Sequence, residues 1–196
     1  MKKLLITGCH RSLTTILASV ISRHKDISVL VDDYYDSYKR ILSKKVVGVK
    51  MPIPSILWNK KRSMLYIFLF RKFYFIQKIF SYRHYRGRCN YCITDFLNDK
   101  IIFISRDKYE NINSILRHTK QTRDQAEKDV MLAEKIRDKL MQYNNVYFTT
   151  AYEFTARKEA TCKEICEFLG VEYDPNMLLG YQNNPVYKND RILIKH

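Results

Sequence analysis

The stretch "LLITGCHRSLTTILASVIS", Leu4 to Ser22, constrains the fold more than any other part of the chain. Lys3 to Thr7 is a short continuous apolar run, the pattern of a buried strand. Leu13 to Arg23 has the pattern of a helix, and a polar turn from Gly8 joins the two. Successive backbone N–H groups in such a turn, with the positive end of the helix behind them, make an anion site. A nucleotide-hydrolysing loop reads GxxxxGK[ST]. Here Leu13 stands at the second Gly and Thr14 at the Lys. That lysine neutralises the β- and γ-phosphates, so a triphosphate is poorly served. Arg11 places its cation inside the loop instead, and Thr14 and Thr15 bring hydroxyls to the helix start.

The rest of the chain repeats the alternation. "ISVLV" at 27–31, "KVVGVK" at 45–50, "IIFIS" at 101–105 and "VYFTT" at 146–150 read as strands. Helical patterns fall at "YDSYKRILS", from Lys108 through "ENINSILRH", over "RDQAEKDVMLAEKIRDKLMQY" and over "EATCKEICEFLG", the last ended by Gly170. Strands alternating with helices imply an α/β fold, a central parallel sheet flanked by helices. The length of 196 residues, without a Pro/Gly-rich linker or a repeat, predicts one domain over 1–196. Over 53–98 the expectation is two helices with an irregular connection.

The formal net charge of +15 favours an anionic partner: a nucleotide, nucleic acid, a membrane surface or an acidic glycan. Five cysteines at irregular spacing do not form a disulfide framework. Cys89 and Cys92 make a CxxC with His84 nearby, but a zinc site needs a fourth ligand, so no metal is expected. "SMLYIFLFRKFYFIQKIF" is interrupted by Arg71 and Lys72 and makes a poor membrane span. With a strand beginning a few residues from Met1, no signal peptide is expected, and the expected location is the cytoplasm.

Three segments resemble one family. "GCHRSLTT" is similar to the 5′-phosphosulfate loop, PRSGTT or PKSGTT, of sulfotransferases that use 3′-phosphoadenosine 5′-phosphosulfate (PAPS), closer to the Arg-containing Golgi and bacterial branch. Leu13 replaces the usual Gly. "FISRDKYENINSILR", 103–117, resembles the strand and RDPRDVxxS that hold the 3′-phosphate, with Arg106 and Ser114 eight residues apart as in the family. "VYFTTAYEFTARKEATCKEICEFLGVEYD" resembles the family's late "YEDL…FLG" pattern, with Tyr152 and Glu153 at the YE position. The resemblance implies a fold related to the P-loop nucleotide kinases and a reaction without a metal. A sulfuryl group would pass from PAPS to a hydroxyl or amine, leaving adenosine 3′,5′-bisphosphate.

The resemblance also implies residue roles. His10, Arg11, Ser12, Leu13, Thr14 and Thr15 would surround the phosphosulfate, Arg106 and Ser114 would hold the 3′-phosphate, and Tyr152 would lie against the nucleotide. "RHKDISVLVDDYY" resembles the "HPxxxxxxE" stretch whose acid activates the acceptor, which makes Asp32 or Asp33 the base. The alternative is that the two acids cap a helix from Tyr34. "VGVKMP" resembles "GxKxP", which would aim Lys50 at the sulfuryl group; otherwise Lys50 is a solvent-facing strand end. The acceptor stays open among glycan, lipid, peptide and small molecule. Two other functions compete. One is a P-loop kinase-like nucleotide-binding protein, which needs a Lys where Thr14 stands. The other is a basic protein that binds nucleic acid or a membrane surface through "RKFYFIQKIFSYRHYRGR", 71–88. Nucleic acid is the less favoured partner, since such stretches are more often amphipathic helices with solvated cations.

Overall fold

A computed structural model of the chain describes residues 2–31, 44–58 and 92–181. The expected helix in "YDSYKRILS", most of the expected helices over 53–98, and the basic aromatic stretch 71–88 lie outside the described residues.

Among the described residues five strands form one parallel sheet: β1 (Lys2–Thr7), β2 (Ile27–Val31), β3 (Val46–Lys50), β4 (Lys100–Ser105) and β5 (Val146–Thr150), in the order β2-β3-β1-β4-β5. The expected strands stand within a residue of their predicted bounds. Alternation along β1 divides the core. Leu4 and Ile6 face one layer, with α1 (Thr14–Ile21), α5 (Lys158–Leu169) and the 3-10 turn Pro175–Tyr181. Leu5 faces the other, with α2 (Lys108–His118) and α3 (Arg123–Leu140). A short helix α4 (Ala151–Ala156) links β5 to α5. Each large apolar side chain buried in these layers contributes about 1.5–3 kcal/mol.

Local signals set the helix ends. The Asp107 side chain accepts from the Glu110 N–H and starts α2, while Thr122 and Gln125 form a capping box on α3. Thr150 and Glu153 form another on α4. Gly170, at φ 66°, ends α5 as expected. His24 ties the end of α1 to the chain after α5: Nε2 donates to the Glu172 carbonyl at 2.7 Å, and Nδ1 accepts from the Asp26 N–H at 3.0 Å.

The turn between β1 and α1 has an unusual backbone. Gly8 has φ 151°, and a Cβ there would lie 2.1 Å from the Ile104 carbonyl oxygen of β4. Arg11 and Leu13 are both left-handed, at φ 66° and 69°. Leu13 takes this conformation as the N-cap of α1, and its half-buried side chain packs on the core under the helix. The left-handed geometry costs a non-glycine residue roughly 1–2 kcal/mol.

Two substitutions separate these constraints. Gly8→Ala is expected to cost about 3 kcal/mol or more, because a rigid strand carbonyl occupies the Cβ position. Leu13→Gly relieves strain but loses apolar packing and adds chain entropy, for a net loss of about 1 kcal/mol. Urea-denaturation midpoints check both. A Leu13→Gly protein more stable than the parent would show that the leucine side chain contributes no packing.

Candidate anion site at the sheet switch point

The strand order reverses beside β1. The chain passes from β1 to β2 and β3 on one side, then crosses to β4 on the other. Open α/β sheets bind ligands at the carboxyl ends of the strands at such a point. The Gly8–Leu13 turn sits there, with β3 and β4 ending on either side of it.

The turn is held from within and from both flanks. The Ser12 hydroxyl is fully buried; it donates to the Cys9 carbonyl and lies 3.2 Å from the Ile104 carbonyl. The Ser12 hydroxyl thus closes the turn from inside. On the β3 side, the His10 N–H donates to the Ile53 carbonyl at 2.9 Å, and the Ile53 N–H to the Gly8 carbonyl at 2.8 Å. On the β4 side, Arg106 Nη1 donates to the Arg11 carbonyl at 3.3 Å. With its amide nitrogen toward the loop, Asn111 of α2 donates to the carbonyls of His10 and Arg11, 3.2 Å each. Burial pushes the Cys9 thiol up to about 12, so Cys9 is a packed thiol and not a nucleophile.

The loop leads into an open helix end. The N–H groups of Ile16 and Leu17 both bond the Leu13 carbonyl, and those of Thr14 and Thr15 precede the first intrahelical bond. Lys50, the last residue of β3, reaches this end: its Nζ donates to Thr15 Oγ1 at 3.3 Å. Lys50 is 3% exposed, which excludes the solvent-facing alternative. A cation thus stands at the helix start although Thr14 occupies the P-loop lysine position.

Arg106 follows β4, and its side chain is 9% exposed. Its Nε donates to Glu110 Oε2 at 3.2 Å, while Asp107 serves as the helix cap. Ser114 is buried on α2, one turn beyond Asn111 and on the same face, which Asn111 aims at the loop. Tyr152, the second residue of α4, is 79% exposed. Asp32 and Asp33 lie outside the described residues; β2 ends at Val31, in register with Lys50. So do Cys89 and His84, while Cys92 is buried, its Sγ 3.1 Å from Thr94 Oγ1. Among the described residues no three His, Cys, Asp or Glu side chains gather as a metal site, and no helix is long and apolar enough to cross a membrane. Sequence reasoning missed Asn111, and Gln121, whose Nε2 donates to Asp129 Oδ2. It also missed Asp129, a fully buried acid on α3 that lies 3.4 Å from His10 Nε2.

No protein-family model matches the chain, and no curated protein does. Solved structures do match. The sulfotransferase domain from the curacin biosynthetic pathway superposes with a TM-score of 0.61 at 13% identity, over 92% of this chain and 78% of that one. A sulfotransferase from Alicyclobacillus acidocaldarius gives 0.55 at 14% identity, over 89% and 83%. Mouse sulfotransferase SULT7A1, solved in complex with PAP, gives 0.53 at 14% identity, over 91% of this chain and 62% of the mouse chain. At such identities the likeness speaks for architecture. The all-parallel sheet, its flanking helices and the strand–loop–helix at its switch point give this chain the P-loop-like fold of the sulfotransferases.

Proposed function

We propose that the protein is a sulfotransferase that moves a sulfuryl group from PAPS to an acceptor hydroxyl or amine. One observation carries this reading: Arg106 Nη1 meets the Arg11 carbonyl at 3.3 Å. The segment resembling a 3′-phosphate site thus touches the segment resembling a 5′-phosphosulfate loop, although they lie 95 residues apart in sequence. A donor with phosphate at both ends of its ribose suits two cationic segments at one edge of the sheet. The kinase alternative accounts for the loop but not for Arg106 beside it. Neither nucleic-acid nor membrane binding draws support from the described residues.

The residues suggest a division of labour. The Thr14 and Thr15 N–H groups and the α1 dipole suit the 5′-phosphate and its sulfuryl oxygens. Lys50 and Arg11 suit the charge that collects on the phosphate as it leaves. The acceptor oxygen or nitrogen attacks sulfur and forms a new bond. The bridging S–O bond breaks with its electron pair going to the phosphate, and the acceptor proton passes to Asp32 or Asp33. Arg106 and Ser114 suit the 3′-phosphate. For Arg106 to bind it, the phosphate displaces the Glu110 carboxylate from the guanidinium. A cytoplasmic location and an acceptor drawn from glycans, lipids, peptides or small molecules remain parts of the proposal.

Binding and turnover test different parts. Adenosine 3′,5′-bisphosphate should stabilise the protein in a thermal-shift or calorimetric comparison, and 5′-AMP much less. A charge-assisted contact to the 3′-phosphate is worth roughly 1.5–3 kcal/mol, so Arg106→Ala should erase most of the preference. Equal binding of the two nucleotides by the parent protein would overturn the assignment of Arg106, and a preference for Mg·ATP would favour a kinase.

For chemistry, acceptors are screened with labelled PAPS. Lys50→Met should lower kcat about 10²-fold. The Asn variant of whichever aspartate is the base should bind PAPS normally and turn over roughly 10²–10⁴-fold more slowly. If Asp32→Asn and Asp33→Asn both keep full turnover, the base lies elsewhere.

A further inference from the structure

Asp129 stands where α3 otherwise carries its apolar stripe. Ala126, Val130 and Ala133 around it belong to the core, and Asp129 itself is 0% exposed. A carboxylate in such a place is expensive unless polar groups meet it. Two side chains do. Gln121 Nε2, from the turn before α3, donates to Asp129 Oδ2 at 3.0 Å. His10 Nε2 lies 3.4 Å from the same oxygen.

His10 belongs to the anion loop. Its N–H is tied to Ile53 and its carbonyl faces the Asn111 amide, so only its ring reaches α3. Nε2 is a buried atom with no hydrogen bond to another group, although the ring as a whole keeps 19% exposure. At 3.4 Å it is a few tenths of an ångström beyond a formed N–H···O bond, within reach of a small ring rotation. The next residue, Arg11, holds a left-handed backbone that the loop does not favour by itself. Strained turns persist where their surroundings over-determine them.

We propose that Asp129 is a positioning residue for the anion loop: through the His10 ring it holds the Cys9–Leu13 backbone in its anion-binding form. This deepens the sulfotransferase reading and rests on it for the identity of the anion. Gln121 orients the carboxylate, and His10 transmits its position to the loop. Asp129 touches neither donor nor acceptor in this role.

The test is a double-mutant cycle of Asp129→Ala and His10→Ala, with Asp129→Asn as the conservative variant. Two quantities are read: the Kd of adenosine 3′,5′-bisphosphate, and amide hydrogen exchange without nucleotide at positions 10 and 12, whose N–H groups bond the Ile53 and Cys9 carbonyls. Each Ala variant should weaken binding about tenfold and speed exchange at these amides, and the double variant should be no worse than either. Asp129→Asn, which keeps an oxygen for Gln121 and the His10 ring to approach, should recover most of the loss. Should Asp129→Ala fail to fold, His10→Ala and Asp129→Asn still decide, because the His10 ring is partly exposed. Losses that multiply in the double variant, or loop exchange unchanged by His10→Ala, overturn the proposal. If the parent protein does not bind the nucleotide, the sulfotransferase reading fails, while the exchange measurement still decides whether Asp129 and His10 hold the loop.

Discussion

The close passage of the chain over β4 as it leaves β1 governs the whole carboxyl edge of the sheet. Gly8 crosses where a Cβ would lie 2.1 Å from the Ile104 carbonyl, so no side chain fits between the two strands. Because the backbone can approach this closely, the loop folds over the end of β4 and meets Arg106. The same crossing lets Ser12 bury its hydroxyl against Cys9 and Ile104. The first helix then starts with its open N–H groups at the sheet switch point, where Lys50 arrives from the other side.

The site gathers positive charge from separate parts of the chain. Arg11 comes from the loop, Lys50 from the end of β3 and Arg106 from the end of β4. Parallel strands make this economical, since all their carboxyl ends lie on one edge. A buried strand-end lysine reaches the helix start at which a P-loop carries its own lysine. Leu13 is compatible with this arrangement, since its side chain packs on the core and leaves the backbone N–H groups of the helix start at the loop.

Much of this was legible in the sequence. Short apolar runs marked the five strands, and helical periodicity marked α1, α2, α3 and α5, but not the short α4. The loop was legible because Gly8 and the two threonines bracket a strand–helix junction. Less legible were contacts that depend on distant packing. Lys50 reads equally as an exposed strand end until β1 and α1 cover it. The bond from the Ser12 hydroxyl to the Cys9 carbonyl depends on how the turn closes, which spacing does not show. Asp129 did leave a signal, an acid on an otherwise apolar helix stripe, but nothing in the spacing connects it to His10, 119 residues earlier. Asp32 and Asp33 lie outside the described residues, and their place as a base rests on resemblance alone.

The most direct test of the account is a crystal structure with adenosine 3′,5′-bisphosphate. The account places the 5′-phosphate on the Thr14 and Thr15 N–H groups beside Lys50 Nζ, and the 3′-phosphate on Arg106 and Ser114 with Glu110 displaced. A nucleotide bound elsewhere, or one whose 3′-phosphate faces solvent while Arg106 keeps Glu110, would contradict it.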